Sequence, residues 1–97
     1  MKLDAKHIST IRNYFREKPV VKAYLFGSFA RDDGSEGSDV DILVELDYSK
    51  PLGLEFIGMQ PDLEDLLKRK VDLVSTNALS KYLRPYVDQG KILIYAR

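Results

Sequence analysis

Over residues 39–46 the chain alternates without interruption: Val40, Ile42, Val44 and Leu46 fall on one side, Asp39, Asp41, Leu43 and Glu45 on the other. A period of two is that of a half-covered β-strand. Any fold for this chain must therefore contain a sheet with one apolar face under cover and, on the opposite face, two aspartates side by side. Three other stretches read as strands. Residues 20–26 are apolar apart from Lys22, as expected of a strand covered on both faces, and residues 71–75 and 92–95 are short apolar runs.

Between the strands the period changes. Ile8, Ile11, Tyr14 and Phe15 recur at helical spacing over about residues 5–17, and Pro19 stops that helix. Ser28 is expected to cap a short helix, and residues 32–38, DDGSEGS, form a turn by composition. Residues 51–60 are mixed, after which Leu63, Leu66 and Leu67 mark a helix to about residue 70 that Pro61 either starts or kinks. Asn77 is a plausible cap for a last helix through Leu79, Leu83, Tyr86 and Val87, ended by Gly90. Tyr14, Tyr24, Tyr82, Tyr86 and Tyr95 sit at apolar-periodic positions and are expected in the core. The order α-β-α-β-α-β-α-β predicts an α/β (α+β) fold, a small mixed sheet with flanking helices, in one domain over residues 1–97.

Charge excludes some functions. Lys+Arg and Asp+Glu both number 15, so a chain without net charge is not expected to hold long nucleic acid on its own, because such binding relies on cations that displace counterions from phosphates. With no cysteine there are no disulfides or thiolate metal sites. No apolar run reaches the length of a membrane span and the N-terminus has no signal-like h-region, so a cytoplasmic protein is expected.

Three features together point to phosphoryl transfer. Gly27-Ser28 follows a strand directly, Asp39-Val40-Asp41 opens the alternating strand, and Asp72 lies between Val71 and Leu73 in a third. Residues i and i+2 of a strand project the same way roughly 7 Å apart, so the two carboxylates can converge on one or two cations. Hard oxygen ligands suit Mg²⁺, and two such ions can clamp the attacking and leaving oxygens of an in-line displacement. Asp72, set among apolar neighbours, would need a partner for its charge, which a metal supplies. Glycine lets backbone approach a phosphate, Ser28 adds a hydroxyl at a helix start, and Arg31 lies a turn later. Taken singly, each has an ordinary use as turn, strand rim or surface arginine. By the same standard Glu45 is a solvated strand end, and His7, with no second histidine, an exposed helix residue.

The spacing, Gly27-Ser28 followed after ten residues by Asp39-Val40-Asp41, resembles the signature of the polymerase-beta-type nucleotidyltransferase superfamily, and specifically its minimal nucleotidyltransferase (MNT) branch. The wording GSFARDDGSEGSDVDILVEL is similar to that branch throughout, and KVDLV supplies the third aspartate. One departure is that Asp32 follows Arg31 where many relatives have glycine. The resemblance implies a polymerase-beta-like fold. It also implies that Asp39, Asp41 and Asp72 are both the catalytic residues and the ligands of two Mg²⁺ ions, and that Gly27, Ser28 and Arg31 hold the triphosphate of ATP. It further implies transfer of AMP to a hydroxyl, with a tyrosine of a HEPN-domain toxin as the expected acceptor and this chain as antitoxin. Two alternatives stay open: an antitoxin that only masks its partner, and a small-molecule or RNA nucleotidyltransferase with a separate acceptor-binding subunit.

Overall fold

The computed structural model describes residues 3–31, 34, 37–49 and 51–97. Seven elements follow one another: α1 (Ala5–Phe15), β1 (Val20–Phe26), β2 (Val40–Leu46), α2 (Gly53–Leu67), β3 (Val71–Ser75), α3 (Arg84–Gly90) and β4 (Ile92–Ala96), with a 3-10 turn after β1 (Gly27–Phe29) and another after β3 (Thr76–Ala78). The expected helix after β1 is thus a single 3-10 turn. Phe26, rather than Ser28, stands at its cap position, because Gly27 already has the helical role. The turn foreseen over residues 32–38 falls largely outside the described residues, and so does Asp32.

The four strands make one sheet in the order β3-β2-β1-β4. β1 is antiparallel to both β2 and β4, and β2 and β3 run parallel, so the sheet is mixed as the alternation of elements predicts. α2 is the crossover that parallel pairing requires. Val40, Ile42, Val44 and Leu46 of β2 are buried on one face with Ala23, Leu25, Val71 and Leu73, under Ile11 and Phe15 of α1 and Met59, Leu63 and Leu67 of α2.

Local chemistry sets the helix ends. Asp4 Oδ1 accepts a hydrogen bond from the His7 N–H at 2.8 Å and caps α1, which ends at Phe15, before the reach its period suggested. α2 contains Pro61 in its interior, so residues 53–60 join the helix instead of preceding it. Pro61 is exposed, where the carbonyl it leaves unpaired is open to water. α2 stops at Leu67 because Lys68 turns left-handed, with φ 56°. Asn77 lies in the 3-10 turn and does not cap α3, which starts only at Arg84, one residue before Pro85, as suits a first helical turn.

β3 is an edge strand, and α2 covers its edge in an unusual way. Gln60 Oε1 accepts from the Leu73 N–H at 3.1 Å and Glu64 Oε2 from the Val71 N–H at 3.0 Å. Two side chains one helical turn apart thereby satisfy the outward amides of a strand that would otherwise invite pairing.

Candidate active site at the edge of β1, β2 and β3

The face opposite the core carries the acidic residues. In the parallel register Asp41 lies beside Asp72, and in the antiparallel register Phe26 lies beside Asp41. Neighbouring strands are about 4.8 Å apart, so the carboxylates of Asp41 and Asp72 emerge side by side on one face. Asp39 sits one residue before β2 and is exposed. The three are close enough to feel one another. The Asp41 carboxyl is pushed up to about 6, first by burial, then by the charges of Asp72 and Asp39, with Arg31 pulling the other way.

Burial is distributed differently from the sequence expectation. Asp72 is exposed rather than enclosed, because Val71 and Leu73 turn to the core while it turns away. Asp41 is the partly buried member. Leu43, on the same face, is also buried, and the 3-10 turn after β3 packs on this strand. In β1, Tyr24 and Phe26 are only half-buried and Lys22 is exposed, so that strand is fully covered on one face alone. Glu45 is exposed at the far end, as expected of a solvated strand end.

Gly27 joins the turn to the carboxylates. Its φ is +71°, and a methyl group on its Cα would overlap the Asp41 carboxylate. No side chain fits there without displacing the acid or straining the backbone. The N–H groups of Ala30 and Arg31 both bond to the Gly27 carbonyl, at 3.1 and 3.2 Å, and close the turn on which Ser28 is carried. Phe29 anchors it: its ring is buried, lies against Gly34 and has the Arg69 guanidinium over it at 5.2 Å from the centroid. Its apolar character between Ser28 and Ala30 is the one signal in the sequence that would have marked it.

The donor set suits a hard cation. Three carboxylates at the ends of adjacent strands offer the oxygen ligands that Mg²⁺ prefers, and a divalent ion would relieve the repulsion that raises Asp41. Among the described residues no three such groups already stand in a closed ligand array. Gly27, Ser28 and Arg31 lie next to this pair on the β1 side, where an anion held by Mg²⁺ would be met by backbone and guanidinium.

The nucleotidyltransferase domain model matches residues 8–94. The chain belongs to this nucleotidyltransferase family. Among its relatives in the family is a Methanocaldococcus jannaschii protein, provisionally named protein adenylyltransferase MJ0128, which is 36% identical over 90 residues, covering 92% of this chain and 88% of the relative. A solved structure provisionally described as a minimal nucleotidyltransferase superposes with a TM-score of 0.74 at 32% identity, covering 91% of this chain and 88% of the other. The fold is shared further with the MNT antitoxin in a complex with a tri-AMPylated HEPN toxin from Shewanella oneidensis, at a TM-score of 0.71 and 22% identity, covering 95% of this chain and 71% of that one. The α+β architecture expected from the order of elements is thus that of the minimal nucleotidyltransferase branch. No helix among the described residues is long and apolar enough to cross a membrane.

Proposed function

We propose that this nucleotidyltransferase moves AMP from ATP to a hydroxyl of a partner protein, a tyrosine of a HEPN-domain toxin, and acts in the cytoplasm as that toxin's antitoxin. The observation that carries the reading is the register of Asp41 against Asp72 on the open face, with Gly27 packed on Asp41. The adenylyltransferase name of its relative and the AMPylated toxin bound to a chain of the same fold support the choice of AMP and of a protein acceptor. In this reading the 97 residues work as one domain, and the acceptor comes from outside it.

Each residue then has a task. Asp39 and Asp41 would hold the metal that carries the triphosphate, and would share a second with Asp72. When bound, Mg²⁺ neutralises phosphate charge and makes the phosphorus a better electrophile. Gly27 and Ser28 hold the phosphates that leave, with Arg31 reaching the same oxygens. Asp72, on the strand farthest from Gly27, takes the acceptor side. A carboxylate oxygen of Asp72 receives the proton of the acceptor hydroxyl as its oxygen bonds to the α-phosphorus. The bond from that phosphorus to the bridging oxygen breaks, pyrophosphate leaves past Gly27, and the proton passes to water.

An apolar patch offers itself to the partner. In the segment around the start of α2, Met59 is buried and Leu52 and Phe56 pack partly on the core, while Leu54 and Ile57 are 83% and 68% exposed. Such a surface serves a masking antitoxin equally well, so the deciding experiment separates the two. The chain is incubated with labelled ATP and Mg²⁺, with and without the product of the neighbouring gene. Label on the partner that vanishes with Asp41→Ala is the expected outcome. Full neutralisation by Asp41→Ala, with no label ever transferred by the unaltered chain, would replace the enzyme by a masking module.

A further inference from the structure

The two edges of the sheet are finished differently. Along β3 the Gln60 and Glu64 side chains take up the outward amides, whereas β4, the edge strand at the other end, is covered at a single carbonyl. There Arg12 Nε donates to the Ile94 carbonyl at 2.6 Å. The Arg97 N–H bonds inward to the Val21 carbonyl at 3.0 Å, so the alternation of a strand turns the Ala96 N–H outward. Ile92 and Leu93 on the same strand are 47% and 51% exposed. An open edge that carries apolar side chains is a template for one more strand.

A groove runs along this edge between α1 and β4. Two cavities of about 290 and 310 Å³ share Arg12, Leu93 and Ile94 in their walls, and so join along the strand. The first is apolar, with Leu3, Ile8 and Phe29 in its lining, and it adjoins the turn that carries Ser28. The second adds Arg16, which is exposed one helical turn beyond Arg12. A guanidinium has five N–H donors, and the bond to Ile94 uses one of them, pinning the Arg12 fork at the groove with its terminal nitrogens left for another acceptor. Among the described residues Arg16 makes no ion pair. The groove is thus apolar at one end and cationic at the other.

We propose that it docks an extended segment of another protein, which pairs with β4 as a fifth strand, sets an apolar side chain against Ile8 and Leu93, and presents a carboxylate to Arg12 and Arg16. Charge selects this occupant. A bare edge and an apolar pocket accept strands of many sequences, but two guanidinia a helical turn apart favour a carboxylate, which each can meet with two parallel hydrogen bonds. A second copy of this chain fits less well, because two-fold antiparallel pairing of β4 lays the arginines of each copy on the apolar end of the other. The surface lies across the sheet from the exposed Leu54 and Ile57 of α2, and the proposal stands apart from the reading of the acidic face.

Random heptapeptides displayed on phage and selected on the immobilised full chain test it, the selected sequences then being synthesised and titrated against the parent, Leu93→Lys and Arg16→Glu. Both side chains are exposed, so neither variant should disturb the fold. The selected peptides are expected to carry a carboxylate near an apolar residue and to slow hydrogen exchange at the Ala96 amide. Each variant should bind them about tenfold or more weakly, as the loss of a charge-assisted hydrogen bond or of an apolar anchor implies. Failure to select any peptide, peptides without a carboxylate, unaltered exchange at Ala96, or unchanged affinity in either variant overturns the proposal. Concentration-dependent dimerisation of the parent in sedimentation, lost in Leu93→Lys, overturns it in favour of a second copy.

Discussion

Asp41 and Ile42 are neighbours in β2 and face opposite sides of the same sheet. Ile42 has no exposure at all and belongs to a core cluster drawn from two helices and four strands. Asp41 has Asp72 beside it on one neighbouring strand and Gly27 against its carboxylate, and is partly exposed. The helix face is close-packed and stores the stability of the fold, while on the acidic face of β2 only Leu43 is buried among Asp41, Leu43 and Glu45. Stability and chemistry are thus divided between the faces of a few strands, and a substitution should reveal which face it is on by what it changes.

The largest effect is expected on the acidic face, in activity alone. Asp72→Asn should lower transfer by several orders of magnitude, because the acceptor proton loses its receiving oxygen and one metal a ligand. Asp39, Asp41 and Ser28 remain, so MgATP binding should stay measurable and the unfolding midpoint nearly unmoved, Asp72 being exposed. Transfer at the parent rate, or a loss of stability comparable with that of a core truncation, would break the division between faces.

Next in size is the mirror case. Ile42→Ala should cost about 2–5 kcal/mol, the range for emptying a close-packed site, read from chemical denaturation. In a chain of this size that is a large part of the total stability. Leu43→Ala sharpens the contrast: Leu43 lies on the acidic face yet is 1% exposed. Its cost should approach that of Ile42→Ala only if the turn after β3 is held as firmly as the helices. A much smaller cost would show that this cover yields.

The same division governs what could be read from the sequence. The core face was legible because its signal is periodic: Val40, Ile42, Val44 and Leu46 on β2, and Ile11 and Phe15 on α1, are buried as their spacing requires. The acidic residues were legible through their spacing, and the register brings Asp41 and Asp72 together as two separate strands could not have shown. Burial on the acidic face was not legible. Asp72 looks enclosed in KVDLV but is exposed, and Tyr82 and Tyr86 keep a core-like period although they are 76% and 77% exposed. Periodicity reports which side a residue faces, and only tertiary packing decides whether that side is covered. Gln60 and Glu64 escaped notice for a related reason, since polar residues on a helix gave no hint that they satisfy the amides flanking Asp72. Pro61 left two readings open, a start or an interior position, and the structure has the interior one, with the proline on the exposed side of α2.

The smallest effect is a gain in stability from removing the charge that the chemistry needs. The Asp41 carboxyl titrates at about 6 in the folded chain against 3.8 ordinarily, so between roughly pH 4 and 6 the folded chain holds a proton that the unfolded chain has lost. Stability contributed by the protonated form is fully present below that window and is lost as pH rises through it. The shift alone corresponds to roughly 3 kcal/mol, which solvent screening of a partly exposed group reduces to about 1. Asp41→Asn, neutral at every pH, should therefore be more stable than the parent at pH 7.5 without divalent ions, by roughly 4–8 °C in Tm for a domain of this size. The advantage should shrink towards zero near pH 4, where the parent carboxyl is neutral as well. Mg²⁺ at pH 7.5 should close the gap from the other side, because it stabilises the parent by binding its carboxylates and has fewer to bind in the variant. A gain equal at pH 4 and pH 7.5 would mean that shape rather than charge is relieved at this site. A loss of stability at pH 7.5 would mean that Asp41 already satisfies polar neighbours as an anion, and the acidic face would then hold the fold together as the helix face does.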